Sequence, residues 1–280
     1  MNETPASYPD RGPAAPVLSG VEGPPPGPIA LRLPSSPPRV TYAILGLTIF
    51  VYLLQILSKL VFANSNPVPV FFGIQTTDLP FALGAKVDEW IRDGQIWRLI
   101  TPILLHGPIW HIGFNMYALF ALGAGLERRF GHVRFLLLYL LAGFSGNVFS
   151  FLFSLDPAVG ASTSIFGLIA AEGMFLYQNR NLFGAESKQA IGNVVSIILF
   201  NLFIGFSSGG YIDNWGHIGG LLGGLIFAWF SGPLWDVEGL YPLLRLVDRR
   251  AGRDVVLGAA AVLIIFAGLA MLGMASLIVP

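Results

Sequence analysis

Four polar clusters in an otherwise apolar chain carry residue types that could do chemistry. The first is Gly160-Ala161-Ser162-Thr163-Ser164-Ile165-Phe166-Gly167. Ser162 falls near a helix N-terminus, where free amides and the positive end of the helix dipole favour a developing oxyanion. Ser164 reads as a packing contact, because small residues line helix interfaces in membranes. The run is not the G-x-S-x-G elbow of soluble hydrolases, since position 164 is serine. The second cluster is Asn214-Trp215-Gly216-His217-Ile218-Gly219-Gly220-Leu221-Leu222-Gly223-Gly224. Gly216, Gly220 and Gly224 recur every fourth residue, and Gly219 with Gly223 makes a further such pair. A helix without Cβ atoms on one face can lie very close to its neighbour. His217 opens that face, which suits a general base. A lone histidine can also be purely structural.

The third cluster is Trp97-Arg98, followed by His106, His111 and Asn115. His111 and Asn115 are four apart and share one helical face, where each offers a hydrogen-bond donor. They could equally be satisfied polar residues at a helix start. His106 and His111 are five apart with no glutamate between them, unlike the i, i+4 pair of a zinc-protease helix, so no metal site is expected. The fourth cluster, Glu127-Arg128-Arg129-Phe130-Gly131, reads as a salt-bridged helix end and turn.

The elements that position these groups follow from composition. Hydrophobic residues make up 54% of the 280 and charged residues 11%, with no cysteine and a formal net charge of zero. Soluble domains carry roughly 25% charged residues, so the outer face here is expected to meet lipid. The balance of charge argues against nucleic acid as a partner. The absence of cysteine excludes disulfides and thiol catalysis. Seven stretches approach the length of about 20 apolar residues that a spanning helix needs. They are about 40–62, 110–126, 133–155, 160–178, 189–206, 215–231 and 255–279. Residues 1–39, rich in proline and glycine, read as a disordered tail, and 232–254 reads as a linker before the last span. With the N-terminus in the cytoplasm, twelve Lys and Arg fall inside (at 11, 32, 39, 128, 129, 134, 180, 188, 245, 249, 250 and 253) and four outside (59, 86, 92 and 98). That bias fixes the orientation and puts the C-terminus outside. The absence of a transit peptide favours a bacterial inner membrane.

Taken together the clusters resemble the rhomboid family of intramembrane serine proteases, over about residues 40–231. The resemblance lies in WR and HxxxN around the second span, GxS opening the fourth, and H-x-x-G-x-x-x-G on the sixth. It implies an all-α polytopic bundle of six core helices plus a seventh C-terminal one. It implies Ser162 as nucleophile and His217 as base in a dyad, with Asp213 left to the outer loop. His111 and Asn115 would line the oxyanion hole with the Ser162 amide, and Phe166 would pack on the histidine. Trp97, Arg98, Glu127 and Arg129 would be structural, and Gly220 and Gly224 would bring the helices together. The expected substrates are transmembrane proteins in the bilayer, and no cofactor is implied. The sequence departs from the family at Thr163, where glycine is usual. Two other readings stand beside this one: a catalytically weak or silent rhomboid-like binding or quality-control protein, and a small-solute transporter using Glu172 within the fourth span.

Overall fold

A computed structural model of the chain describes residues 36–71, 74–240 and 243–275. The expected tail therefore lies outside the described residues up to position 35.

The first apolar run forms α1 (Arg39–Val61). A long segment follows before the next span. It holds a small hairpin, β1 (Val68–Phe71) and β2 (Ile74–Thr76), then two short helices, α2 (Leu79–Gly84) and α3 (Asp88–Arg92). The Asp78 carboxylate caps α2 by accepting from the Phe81 amide at 3.0 Å, which satisfies one of the helix's free donors. Two 3-10 turns, Ile96–Leu99 and Thr101–Leu104, lead to the second span. That span runs as α4 (Ile109–Ala118), a π-helical turn at Leu119–Gly123, and α5 (Ala124–Phe130). Gly131, at φ 77°, breaks it from α6 (His132–Phe153).

The remaining helices are α7 (Ser162–Gln178), the single turn α8 (Arg180–Phe183), α9 (Ala185–Ser207), α10 (Asn214–Ser231) and α11 (Gly252–Ala275). Among the described residues five helical stretches are long and apolar enough to cross a membrane: those at Arg39–Val61, Ile109–Phe130, His132–Phe153, Ala185–Ser207 and Gly252–Ala275. The two left out, α7 and α10, carry Ser162 and His217. Helix α7 has 17 residues, and α10 opens on Asn214, Gly216 and His217.

Helices α6, α7 and α10 form the central trio, α11 lies against α10 and α6, and α9 touches mainly α7. Lipid tails give no hydrophobic drive between helices, so close packing must hold them. The glycines of α10 supply it on two faces. A Cβ on Gly220 would fall 2.1 Å from the Thr163 carbonyl oxygen, and one on Gly224 would fall 2.4 Å from that of Gly167. On the other face, a Cβ on Gly219 would meet the Ser145 carbonyl at 2.6 Å, and one on Gly223 the Ser145 hydroxyl at 2.3 Å. Helix α10 is thus wedged between α7 and α6 by two glycine ridges.

The structure adds elements that hydropathy alone does not suggest. The 232–254 stretch, expected as a linker, holds an antiparallel hairpin of β3 (Trp235–Glu238) and β4 (Arg245–Asp248). Arg134 of α6 ties it down through Asp248 at 2.5 Å.

Candidate active site

Helix α10 begins where the Asp213 carboxylate accepts from the Gly216 amide at 2.9 Å, an N-cap that fixes the orientation of the following residues. Asp213, expected in the loop, is the cap itself. His217 lies one turn on, largely buried, with Nε2 2.9 Å from Ser162 Oγ. Among the described residues nothing bonds the buried His217 Nδ1. The Phe166 ring stacks on the imidazole, with centroids 4.0 Å apart and planes 10° from parallel. Phe166 follows Ser162 by one turn on α7, so the serine and the ring share a face.

The turn before Ser162 is held on three sides. The Gly160 amide donates to the Pro102 carbonyl at 2.9 Å. The Ala161 amide donates to His106 Nε2 at 3.3 Å. Gly160 has φ +136°, and a Cβ there would fall 2.8 Å from His111 Nε2 and 3.6 Å from Ser162 Oγ. Both the conformation and the space require glycine. The same numbers put His111 Nε2 and Ser162 Oγ within 2.8 and 3.6 Å of one point. His111 Nδ1 accepts from the Gly107 amide at 3.4 Å. In the neutral ring this assigns the proton to Nε2, on the side of Ser162. Asn115, buried on the same face of α4, donates from Nδ2 to the His111 carbonyl at 3.1 Å. Its second amide proton is free for another acceptor.

His106 and Gln55 are residues that the sequence reading did not assign to the site. The Gln55 side chain donates to the His106 carbonyl at 3.0 Å and accepts from the His106 amide at 3.0 Å. It also donates to Asp78 at 2.8 Å. This chain of bonds runs from α1 to the amide before Ser162. A buried glutamine inside the first span was the available signal, since polar groups at that depth are expensive.

The long segment between α1 and α4 is pinned beside the site. The buried Lys86 ammonium lies 2.7 Å from Asp88 and also donates to the carbonyls of Ser154 and Asp156. Backbone bonds join Lys86 and Ala158 in both directions. Burial pushes the Asp88 carboxyl up to about 6, and the neighbouring Lys86 partly offsets it. Arg98 donates to the carbonyls of Ala85 and Ala82, both at 2.7 Å, and stacks over Trp90. The Trp97 indole donates to the Leu83 carbonyl at 3.1 Å.

At the opposite end Glu127 and Arg129 do not bond each other, contrary to a simple local pair. Glu127 accepts from the amides of Val40 and Thr41 at 2.8 and 2.7 Å, and from the Thr41 hydroxyl. It thereby caps the start of α1, and it lies 2.6 Å from His132 Nδ1. Arg129 instead makes a two-pronged pair with Glu172 of α7, at 2.9 and 2.5 Å. The carboxylate within the fourth span is therefore partnered.

The fold and this constellation define an integral multi-pass helical membrane protein with a serine and a histidine in contact between two helices. A family profile described as "Rhomboid domain" matches residues 93–234, half of the 280-residue chain. The chain belongs to the rhomboid family. It is 45% identical over 157 residues to "Rhomboid protease GluP" of Bacillus subtilis (strain 168), covering 56% of this chain and 30% of that protein. It is 35% identical over 156 residues to "RHOMBOID-like protein 9, chloroplastic" of Arabidopsis thaliana, covering 56% and 36%. To "Rhomboid-like protease 1" of Toxoplasma gondii it is 32% identical over 197 residues, covering 61% and 66%. The chain spans about a third of the length of the first two relatives.

Proposed function

We propose that this protein is an intramembrane serine endopeptidase that cleaves transmembrane proteins with a dyad of Ser162 and His217. The observation that carries the reading is the 2.9 Å separation of Ser162 Oγ and His217 Nε2. A serine hydroxyl is a weak nucleophile until a base takes its proton. With its proton on Nδ1, a neutral His217 accepts the hydroxyl proton at Nε2 as Oγ attacks the scissile carbonyl carbon. His111 Nε2–H, the free Asn115 proton and the Ser162 amide receive the oxyanion. His217 then passes its proton to the leaving amine as the C–N bond breaks. Water, deprotonated by the same nitrogen, hydrolyses the acyl-enzyme. No acid is invoked, in keeping with an Nδ1 that has no partner among the described residues and with Asp213 being engaged as a helix cap. Phe166 keeps the ring upright. Trp97 and Arg98 stiffen the segment beside the site, and Glu127 and Arg129 brace the far end of the bundle.

Excess Lys and Arg at that far end supports a cytoplasmic N-terminus, with the dyad towards the outer face of a bacterial inner membrane and the C-terminus outside. A helical substrate hides its carbonyls, so cleavage falls where helix-breaking or small residues let it unwind. The test is purified protein with a model transmembrane substrate, plus fluorophosphonate labelling. Wild type cleaves and is labelled at Ser162, whereas Ser162→Ala and His217→Ala do neither. Unlabelled wild type that cleaves no better than Ser162→Ala would overturn the reading in favour of a silent binding relative.

A further inference from the structure

The last two turns of α7, the first half of α9 and the middle of α10 line an apolar cleft of about 380 Å3. Gly173, Met174 and Tyr177 line it from α7, and Ile191, Val194 and Ile198 from α9. Both sets repeat at helical spacing, so each helix turns one continuous stripe to the cleft. Gly173 lets the stripes meet, since a Cβ there would fall 3.1 Å from Val194 Cγ1.

The rim of the cleft is cationic. Arg180 donates from Nη1 to the Tyr177 carbonyl at 2.8 Å, and its guanidinium stands 4.6 Å from the centre of the Tyr177 ring. The charge therefore sits directly over a residue that lines the cleft. Lys188 lies one turn before Ile191 on α9. Among the described residues neither cation makes an ion pair, and Glu186 is the lone carboxylate between positions 180 and 188.

From Ala170 to Tyr177 the cleft is about 10 Å long at 1.5 Å rise per residue. Its lining is apolar and its volume has room for a single hydrocarbon chain, while the cation over Tyr177 suits an anionic head group. We propose that the cleft holds one acyl chain of an anionic phospholipid, whose phosphate is taken by Arg180 at the rim. A guanidinium suits phosphate because it presents paired donors.

The test does not read cleavage, so it stands apart from the protease reading. The full chain is reconstituted in nanodiscs of equimolar phosphatidylglycerol and phosphatidylcholine, then released for native mass spectrometry. Wild type retains one phosphatidylglycerol, with at least a several-fold preference over phosphatidylcholine. Val194→Trp, or Ile198→Trp if the first variant aggregates, loses the retained lipid. Arg180→Gln, at an exposed position, keeps a lipid but brings the preference close to unity. Equal retention by wild type and both filled variants overturns the proposal. So does a photo-crosslinker at Val194 that captures polypeptide in place of lipid in native membranes.

Discussion

A methyl group on Gly220 would lie 2.1 Å from the carbonyl oxygen of Thr163. Backbone of α10 thus rests on backbone of α7, one residue beyond the serine and three beyond the histidine. The threonine side chain is buried, and its methyl faces Gly216 and Gly146. Gly220→Ala must therefore separate the two helices. The expected cost is about 1–3 kcal/mol of stability, as for overpacked cores, together with a loss of at least tenfold in cleavage. Thermal unfolding and a cleavage assay on the same preparation check both. Full activity in Gly220→Ala would mean that the 2.9 Å contact does not depend on this packing.

Removing a proposed oxyanion donor should act on the chemical step. His111→Ala and Asn115→Ala are each expected to lower kcat by about 10²–10³, the typical loss for one such donor, with KM little changed. Gly160→Ala should be as damaging, because its methyl would displace His111. Steady-state kinetics in detergent distinguishes these effects from lost substrate binding. A rise in KM at constant kcat would argue against the assignment.

The Arg129–Glu172 pair predicts a stability effect without a chemical one. Both side chains are partly exposed, so the coupling should fall between the surface and buried limits, about 1–3 kcal/mol. A double-mutant cycle with Arg129→Gln and Glu172→Gln measures it. Cleavage by Glu172→Gln per folded molecule should match wild type. A transporter that relays protons through Glu172 would lose its function in that variant.

Asp88 makes a pH dependence. Its carboxyl is raised from 3.8 to about 6 in the folded protein, so the folded state binds the proton more tightly than the unfolded one. Stability from this group is present in full below about pH 4 and is lost as pH rises through 6. Roughly two pKa units correspond to a difference on the order of 2–3 kcal/mol. Wild type should therefore gain thermal stability from this carboxyl between pH 7 and pH 5, and Asp88→Asn should lack that part of the slope. Identical slopes for the two proteins would count against it.

Much of the architecture was legible because membrane helices announce themselves by run length. Each of the seven apolar stretches became a helix within a few residues, α11 having its described end at Ala275. The four-residue glycine period on α10 signalled a close approach, although spacing alone cannot say which neighbour occupies which ridge. The bond from the Ala161 amide to His106 spans 55 positions and leaves no local pattern. The partnering of Arg129 with Glu172 was hidden for the same reason. The hairpin at Trp235–Asp248 escaped because its strands are four residues each, below the scale on which hydropathy reports.

Ser162 and His217 are 55 residues apart, with α9 between them. On the proposed reading this has a consequence for biosynthesis. During translation the serine enters the membrane well before its base exists, and the hydroxyl stays inert until the glycine-wedged helix docks. Competence to cut peptide bonds then arises only once α10 has docked on α7, so the order of insertion itself delays any attack on the nascent chain and its neighbours at the translocation site.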